Sequence, residues 1–519
     1  MSVSVETERE FKFDVDADFD PPDLRPVVGR TVRLPEVEHH TIYFDTADHR
    51  LWARGITLRH RRPAGSGPEA GEWTLKLPAG EEPGGDGPGP SSRSELTWNG
   101  ASGTVPEAVR RVLAGVIRRA PLVQIAELHA TRRRLLLQER DAEQPWAEID
   151  DDLVAVSGGP NSGRRFRQIE VELRPGAEAP DGQVGAVLSL MRQAGADPGG
   201  GSKLGAALGL DAAPGSPMKL TRSSPVSEVV RRLLSTDLHV LLDCDLALRR
   251  SWEEGVEPDV ELIHRTRVAT RRLRSLLRTL DPLLDPVWVG HVRGDLRIVG
   301  QALGRVRDAD VLLDRIRAHV DPDDREATEE LVHLVSADRS LAVREAAAVM
   351  TGSTYTDLME RLSTAAATPP LYSQVHDDPA ALPAGRTLHG LVRQRWRRLT
   401  GELREMPAAP APDELHQLRI RAKRLRYAAE AAEPYIGGQA RRAARTAKRL
   451  QDLLGEVHDA TTAVVWLREL ATHPSVSPAA GFVAGRIAGR AEVSAVAAAA
   501  GWSGVARKLD RGKLRAAFR

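Results

Sequence analysis

The spacing of apolar residues changes once along the chain, close to residue 211. Before this point, apolar and polar residues alternate over short runs, which is the pattern of half-buried β-strands. After residue 222, apolar residues recur every three to four positions, as in amphipathic helices. The pattern therefore predicts an α+β protein of two domains, with a β-rich N-terminal part and an all-helical C-terminal part.

The N-terminal part contains eight alternating runs separated by turn-rich stretches. Helical patterns interrupt the series at about 105–119 and 183–194, and residues 78–90 have the Gly- and Pro-rich composition of a flexible loop. Many short strands at even spacing indicate a barrel or a sandwich. The predicted strands are 5–15, 41–44, 56–62, 73–77, 92–98, 130–138, 146–156 and 167–173.

The helical part contains an internal repeat at an offset of 151 to 152 residues. HRTRVATRRLR, which begins at His264, matches HQLRIRAKRLR, which begins at His416, and LGRVRDA from Leu303 matches LGEVHDA from Leu454. Two motifs in the same order at almost the same offset indicate a duplicated bundle of about four helices. The predicted boundaries are 1–210 for the first domain, 211–221 for a linker, and 222–519 for the helical domain, with repeats at about 222–366 and 385–519.

The overall charge hides an asymmetry between the two parts. The chain of 519 residues has 73 basic and 72 acidic residues, and this near-neutral total argues against a generic nucleic-acid binder. Residues 1–213 carry 33 acidic and 26 basic residues, a net charge of −7, so the remainder carries +8. Lysine occurs only eight times against 65 arginines, so a retained lysine points to a need for a compact ammonium group.

Several classes of protein are excluded by what the sequence lacks. The single cysteine, Cys244, excludes intrachain disulfides and Cys-rich zinc sites, and we expect it to pack as a small apolar residue. The charged N-terminus has no apolar segment typical of a signal peptide. No run of about 18 apolar residues is present, so we expect no membrane span and a cytoplasmic location.

Nearly every predicted strand carries a pair of charged residues on one face. Residues i and i+2 share a face of a strand, and a solvated face explains any single strand of this kind. The set combines basic pairs with acidic pairs, which favours a closed barrel with a charged interior. Carboxylates suit hard cations and arginine suits phosphates, so this mixture indicates a metal–phosphate site. Examples of the pairs are Arg59 with Arg61, Arg132 with Arg134, Glu148 with Asp150, and Glu170 with Glu172.

The first strand resembles a known signature. Glu8-x-Glu10-x-Lys12 is similar to the ExExK motif of the CYTH superfamily, the triphosphate tunnel metalloenzymes; the overlapping frame from Glu6 to Glu10 lacks the lysine. Further matching segments follow in order: YFDT from Tyr43, LWARGITLRHR from Leu51, then Lys76, Glu170-x-Glu172 and Ser202-Lys203-Leu204. The resemblance implies an eight-stranded antiparallel tunnel that binds Mg²⁺ or Mn²⁺ through acidic residues and a triphosphate through basic residues.

The resemblance also implies roles for individual residues. Glu8, Glu10 and Lys12 are the implied catalytic residues. The implied metal ligands are Glu8, Glu10, Glu170 and Glu172, with Asp150 as a further candidate. The implied triphosphate contacts are Lys12, Arg59, Arg61, Lys76, Arg93, Arg132, Arg134 and Lys203.

Two helices of the C-terminal part carry matching ladders of basic residues. An Arg-rich solvent face explains one such helix, but its duplication at the same spacing favours a polyanion-binding surface. The ladders lack interleaved aromatic residues, which suits a polyphosphate chain better than stacked bases. One ladder is His264, Arg267, Arg271 and Arg274, and the other is His416, Arg419, Lys423 and Arg426.

This part resembles the CHAD domain, which is associated with polyphosphate binding, over about residues 222–510. Asp308 and Asp459 are expected to be internal partners of arginine, and His264 and His416 are expected to contact anions rather than metal. The second half departs from the first, because RDAD at Arg307 becomes HDAT at His458. Because of this departure, the sequence repeat does not by itself assign the same role to both halves.

The tandem order resembles inorganic triphosphatases that combine these two domains. The leading hypothesis is metal-dependent hydrolysis of inorganic triphosphate in the tunnel, with polyphosphate binding by the helical domain and association with polyphosphate granules. One alternative is a non-catalytic polyphosphate-binding scaffold. Another is a tunnel enzyme that acts on thiamine triphosphate or, as a cyclase, on ATP. Aromatic residues that could contact a base are not evident inside the tunnel, because Trp73 and Trp98 are expected on the outer face. No sequence-specific nucleic acid or membrane partner is expected.

Overall fold

The computed structural model describes residues 4–67, 70–78, 91–174, 182–199, 201–210, 219–372, 382–509 and 512–518. Within these ranges the side chains of residues 4–8, 91 and 92 are not described. The chain divides into two compact units, residues 1–217 and residues 218–519.

The first unit is built on antiparallel strands that the alternating sequence pattern predicts. Two of them begin earlier than expected, because β3 and β7 include residues before 41 and before 130. The described strands are β1 (Ser4–Val15), β2 (Arg30–Arg33), β3 (Val37–Asp45), β4 (Thr57–Pro63), β5 (Glu72–Pro78), β6 (Ser91–Asn99), β7 (Val123–Gln138), β8 (Ala147–Gly158), β9 (Arg165–Leu173) and β10 (Asp197–Pro198).

Eight of these strands close into a barrel. The hydrogen-bonded order is β1-β6-β5-β4-β3-β7-β8-β9, and β9 pairs back with β1. Closure leaves no free edge among the eight strands. The two remaining strands lie outside this path, where β2 pairs with β7 and β10 pairs with β1. The predicted eight-stranded antiparallel barrel is therefore confirmed.

Alternation along the strands separates an apolar outside from a polar inside. Phe13, Ile149 and Val171 point outward and form a buried cluster with Val187 and Met191 of the covering helix α3. The residues between them in sequence point into the lumen. The helices of this unit are α1 (Arg25–Val28), α2 (Glu107–Ile117), α3 (Gln183–Gln193) and α4 (Lys203–Leu208).

One end of the barrel interior is filled by the short helix α4. Leu204 and Leu208 pack against Tyr43, Leu128 and Val154, which are inward-facing residues of β3, β7 and β8. Ser202 caps the helix, since its hydroxyl oxygen accepts a hydrogen bond from the amide of Gly205 at 3.0 Å. The apolar side of α4 therefore closes this end, and Lys203 at its first position lies beside the polar part of the lumen.

The second unit is helical, as predicted. Among the described residues of both units, no helix is both long enough and apolar enough to cross a membrane. Cys244 is buried, as expected for a small apolar residue. The helices are α5 (Val226–Glu253), α6 (Val260–Leu280), α7 (Pro286–Arg317), α8 (Arg325–Thr351), α9 (Ser353–Ala367), α10 (Ala384–Glu405), α11 (Pro412–Ile436), α12 (Gly438–Ala471), α13 (Pro478–Ala500), α14 (Trp502–Ala506) and α15 (Gly512–Phe518).

The repeated motifs occupy corresponding helices. His264 lies on α6 and His416 on α11, while Asp308 lies on α7 and Asp459 on α12. α6 and α11 contact each other, which brings the two ladders of basic residues side by side. The duplication seen in sequence therefore places both basic faces in one region of this unit.

Candidate functional site

The polar lumen of the barrel encloses a cavity of about 250 Å³. Most of the residues predicted to bind metal or triphosphate line it, because successive inward positions of the strands carry charge. Tyr43, Thr57, Glu72, Glu95, Ser202 and Leu204 also line it and were not predicted as site residues. The predicted residues in the lining are Glu10, Lys12, Arg59, Arg61, Lys76, Arg93, Arg132, Glu170, Glu172 and Lys203.

Glu170 is held between two lysines on the acidic side of the lumen. Nζ of Lys12 lies 2.6 Å from Oε1 of Glu170, and Nζ of Lys203 lies 2.6 Å from Oε2. Burial opposes ionisation of this carboxyl, but Lys203 and Lys12 hold its pKa well below the usual range. Burial likewise opposes the charge of Lys12, while Glu170 and Glu10 raise its pKa above the ordinary value. Both oxygens of Glu170 are therefore occupied by ammonium groups in this structure.

Asp152 is a buried member of this cluster that the sequence analysis did not select. Its carboxylate accepts two hydrogen bonds from Arg132, at 2.8 Å from Nε and 2.6 Å from Nη2, and lies 2.8 Å from Nζ of Lys203. Burial opposes its ionisation, but Lys203 and Arg132 lower its pKa. The signal was present in the sequence, because Asp152 is two residues beyond Asp150 and shares its face of β8.

Asp150 and Arg134 were predicted as site residues but do not line the cavity. Arg134 forms an ion pair with Glu148, and Asp150 with Arg132. Burial raises the pKa of Asp150 to about 6. Arg132 acts to lower this pKa, whereas the neighbouring carboxylates of Asp152 and Glu148 raise it further. These two residues lie beside the cavity rather than in its lining.

The opposite wall is basic and comes from β4, β5 and β6. Burial, together with Arg59 and Arg132 nearby, lowers the pKa of Arg61 to about 10. Among the residues that the structure describes, Nε of Arg61 has no hydrogen-bond partner. Lys76 forms an ion pair with Glu95, its neighbour in the β5–β6 register. The buried charge of Arg61 therefore lies beside other cations.

The seam between β1 and β9 brings further carboxylates together. Glu10 lies opposite Glu172 in the strand register and is almost fully buried. The backbone of Glu8 lies opposite Arg93, but the side chain of Glu8 is outside the described residues. Carboxylate oxygens are the donors that Mg²⁺ and Mn²⁺ prefer. Glu10 and Glu172 therefore supply carboxylates that suit a divalent cation. Nζ of Lys12 lies 2.9 Å from Oε1 of Glu10 as well as 2.6 Å from Oε1 of Glu170, so a metal at either carboxylate would have to displace this lysine.

A cluster of potential metal ligands also lies on the outside of the barrel. The ligand atoms of His40, Glu127 and His129 are within 4.8 Å of one another. Nε of Arg62 donates to Nδ1 of His40 at 3.0 Å, so Nε2 of His40 carries the proton and donates to Glu127 at 2.6 Å. A metal at Nε2 would require this arrangement to break. We therefore interpret the group as a closed hydrogen-bond network.

In the helical unit, the two ladders meet at a cleft of about 610 Å³. Burial lowers the pKa of Arg267 and of Arg419, and neighbouring Arg271 acts in the same direction on both. Arg419 lies 3.8 Å from Asp459, so that carboxylate is a partner of arginine as expected. The basic and histidine residues in the lining are His264, Arg267, Arg271, Arg307, Arg419 and His458.

The two repeats place an arginine of one helix beside the glycine of the LG motif on the next helix. A Cβ atom on Gly304 would lie 3.9 Å from Nε of Arg267, and one on Gly455 would lie 3.7 Å from Nε of Arg419. Each guanidinium therefore lies close against the backbone of the neighbouring helix. This packing fixes Arg267 and Arg419 at equivalent places in the cleft.

The remaining ladder residues lie around the cleft. Burial lowers the pKa of Lys423 to about 7, and Arg419, Arg271 and Arg267 add to this effect. Nδ1 of His416 lies 3.2 Å from Nδ1 of His458 at the edge of a second pocket. Arg426 is held by Glu430 at 2.6 Å.

Arg274 belongs to a second basic group that the sequence analysis missed. Burial lowers its pKa, and Arg293 and Arg297 of α7 add to the effect. Burial also lowers the pKa of Arg424 to about 10, with contributions from Arg278 and Arg395 among others. The helical periodicity of α7 and α10 contained this signal, but only the contact between helices brings these arginines together.

Comparisons with known proteins give one family match and several similar chains. Residues 240–468 match the CHAD domain family, which confirms that resemblance for the helical unit. Two uncharacterized proteins of Mycobacterium tuberculosis strains are each 28% identical over 483 residues, covering 87% of this chain and 86% of the relative. The crystal structure of a CHAD domain from Ricinus communis is 24% identical with a TM-score of 0.46, covering 57% of this chain and 96% of that chain. HpAC1 from Hippeastrum, a proposed adenylyl cyclase with a dominant triphosphatase activity, is 16% identical with a TM-score of 0.25, covering 40% of this chain and 98% of that chain.

Proposed function

We propose that the barrel hydrolyses inorganic triphosphate with a divalent metal ion. The observation that carries this proposal is the buried guanidinium of Arg61, whose charge is disfavoured by burial and by the nearby cations Arg59 and Arg132. A polyanion in the lumen would reverse that penalty, and guanidinium groups suit phosphate oxygens. Facing carboxylates on the other wall supply the complementary half of a metal–phosphate site.

The residues divide into three roles under this proposal. Glu8, Glu10, Glu170 and Glu172 are the proposed ligands of Mg²⁺ or Mn²⁺, with Asp150 beside them. When bound, the metal would neutralise phosphate charge and activate water for attack on the terminal phosphorus. Lys12 and Lys203, which now neutralise Glu170, would turn to the phosphate oxygens. The basic residues are proposed to orient the phosphate chain; they are Arg59, Arg61, Lys76 and Arg93 of the basic wall, with Arg132 and Arg134 of β7.

The lining favours an unsubstituted phosphate chain over a nucleotide or thiamine triphosphate. Tyr43 is the only aromatic residue among the described lining residues of the cavity. Trp73 and Trp98 are fully buried on the outside, where Trp73 contacts Phe44 and His60. A cavity of about 250 Å³ with charged walls offers little apolar surface for a base. Action on ATP or thiamine triphosphate therefore stays the alternative substrate hypothesis.

A substrate panel tests the proposed hydrolysis. Purified full-length protein with Mg²⁺ or Mn²⁺ is expected to release phosphate from tripolyphosphate faster than from ATP or thiamine triphosphate. Glu10→Ala is expected to abolish release, while Glu36→Ala, an exposed control outside the lumen, is expected to leave it unchanged. Equal activity of wild type and Glu10→Ala would reject the proposal, and binding of tripolyphosphate without turnover in wild type would favour the non-catalytic scaffold.

We also propose that the helical unit binds inorganic polyphosphate in its basic cleft. The proposed contacts are His264, Arg267, Arg271 and Arg419 in the lining of the cleft, with Arg274, His416, Lys423 and Arg426 outside that lining. Full-length protein is expected to be retained on immobilised long-chain polyphosphate, and the paired reversals Arg271→Glu and Lys423→Glu are expected to release it at lower salt. Arg133→Glu, an exposed reversal on the outer face of the barrel, serves as the control for the charge change of each reversal made singly. Association with polyphosphate granules is a further consequence of this proposal.

A further inference from the structure

One face of α12 is apolar where the corresponding face of α7 is charged. The two helices correspond at an offset of 151 residues, so their differences show what changed between the repeats. In α7, the carboxylate of Asp310 accepts a hydrogen bond from Arg339 at 2.7 Å. In α12, Thr461 instead donates to the carbonyl of Val457 at 2.8 Å. Arg307, Asp314 and Arg315 of α7 correspond to His458, Val465 and Trp466 of α12.

The apolar replacements Val465 and Trp466, together with His458, line a pocket of about 380 Å³ between α11 and α12. Val465 is 52% exposed, and Trp466 is partly buried against the core cluster that contains Leu467 and Ile487. Leu415 and His416 of α11 form the opposite wall. Concave apolar surface with a few polar groups is typical of small-molecule sites, and this volume is in their range.

The apolar pocket adjoins the basic cleft of the same unit. His458, Thr462 and Trp466 line both cavities. The cleft adds Arg267, Arg271 and Arg419, whose charges are suited to phosphate. A ligand that fills both cavities must therefore carry an anionic chain at one end and an apolar group at the other.

Two histidines supply directional hydrogen bonding at the junction. Nδ1 of His416 lies 3.2 Å from Nδ1 of His458, and the ring centroids are 4.6 Å apart. Burial lowers the pKa of both rings, and Arg419 adds to the effect, so both are neutral at pH 7. A neutral imidazole both donates and accepts hydrogen bonds. The polar edge of a nitrogen heterocycle meets these requirements, whereas an aliphatic chain does not.

We propose that the helical unit binds a nucleoside polyphosphate, with its phosphates in the basic cleft and its nucleobase in the pocket between α11 and α12. The inference rests on the proposed polyphosphate binding of the same cleft and names a more specific ligand class for it. The basic ladders themselves lack interleaved aromatic residues. The aromatic surface comes from Trp466 on the neighbouring helix, which sequence periodicity along the ladders could not reveal.

Photolabelling of the full-length protein with 8-azidoadenosine triphosphate tests this proposal, because mass spectrometry of the labelled peptides separates this pocket from the barrel. We expect label on residues 412–416 or 458–466. The double variant Val465→Asp/Trp466→Arg, which installs the residues of α7, is expected to reduce this label about fivefold or more. Trp466→Phe should keep it, and the single change Val465→Asp, at an exposed site, should reduce it without affecting folding.

Retention on immobilised inorganic polyphosphate is measured for the same variants. It is expected to stay unchanged in Val465→Asp/Trp466→Arg. Label confined to residues 1–217, or label on α11 and α12 that the double variant does not reduce, would overturn the nucleobase pocket. If wild type and Arg271→Glu are equally unretained on inorganic polyphosphate, the proposed function of the cleft fails instead.

Discussion

The ammonium group of Lys12 lies 2.6 Å from Oε1 of Glu170, across the pairing of β1 and β9 that closes the barrel. The same carboxylate contacts Lys203 through its other oxygen. The charges that would bind a metal and a triphosphate therefore neutralise each other in the structure. Ligand binding in this lumen must exchange these internal ion pairs for contacts with phosphate and metal.

Glu170→Gln separates the two roles of this carboxylate. Removing its charge leaves Lys12, Lys203 and Arg132 with less neutralisation, so tripolyphosphate is expected to bind more tightly in the presence of a chelator. Turnover with Mg²⁺ or Mn²⁺ is expected to fall about 100-fold or more, because the variant lacks a proposed ligand of the metal that would stabilise the charge of the transition state. Calorimetry without metal and phosphate release with metal measure the two effects. If Glu170→Gln bound tripolyphosphate more weakly than wild type does without metal, the exchange of internal ion pairs for phosphate contacts would be contradicted.

Arg61→Met is expected to reduce ligand binding without destabilising the free protein. The guanidinium is buried beside Arg59 and Arg132, and these surroundings lower its pKa to about 10. An apolar side chain of similar length removes this penalty. The melting temperature without ligand should therefore stay level or rise, while the increase on adding tripolyphosphate should shrink. Arg133→Met, at an exposed position, is the control, and a large drop in the ligand-free melting temperature of Arg61→Met would contradict the prediction.

Asp152→Asn is expected to destabilise the first unit by roughly 3–5 kcal/mol, since it leaves Arg132 and Lys203 buried with less compensation. The pKa of Asp152 is lower in the folded state than in the unfolded chain. Its contribution is therefore present above the unfolded pKa of about 4 and is lost as the pH falls through the lower folded value. Denaturant unfolding at pH 7 and pH 3 should show a smaller pH dependence in the variant. Glu36→Gln, which breaks an exposed pair with Arg133, should cost less than about 1 kcal/mol.

The barrel could be predicted from the sequence because its interior and exterior alternate strictly. The strand pattern alone left a barrel or a sandwich open, and the mixture of acidic and basic pairs together with the CYTH resemblance favoured closure. In the closed barrel, the inward residues of β1, β4, β7 and β9 converge. The acidic pair Glu148 and Asp150 predicted only part of the inner face of β8, because the alternation continues to Asp152. The start of β3 was placed too late because His39 and His40 interrupt the apolar pattern. Burial, with Arg61 and Arg132 nearby, lowers the pKa of His39 to about 4, and His40 bonds to Glu127.

The helical site was less accessible to sequence reasoning. Periodicity identified the basic faces of α6 and α11, since each face lies on one helix. The second basic group joins Arg274 and Arg278 to arginines of α7 and α10, so it depends on which helices pack together. Trp466 reaches the cleft only because α12 lies against α11. A group whose members lie on several helices can be recognised only from the contacts between those helices, because the periodicity of one helix does not contain them.

Polyphosphate binding is expected to depend on pH through Lys423. Burial and the neighbouring Arg419, Arg271 and Arg267 lower its pKa to about 7, so about half of the free protein carries this charge at neutral pH. A bound polyanion favours the protonated form, so binding should take up a proton and weaken as the pH rises from 6.5 to 8.5. The pKa values of His264, His416 and His458 are lowered below 6.5, so these residues titrate mainly below this range. Calorimetry in buffers of different ionisation enthalpy measures the proton uptake. Lys423→Arg should keep binding but flatten its pH dependence, because a guanidinium stays charged throughout, and an unchanged pH dependence in that variant would show that another group titrates.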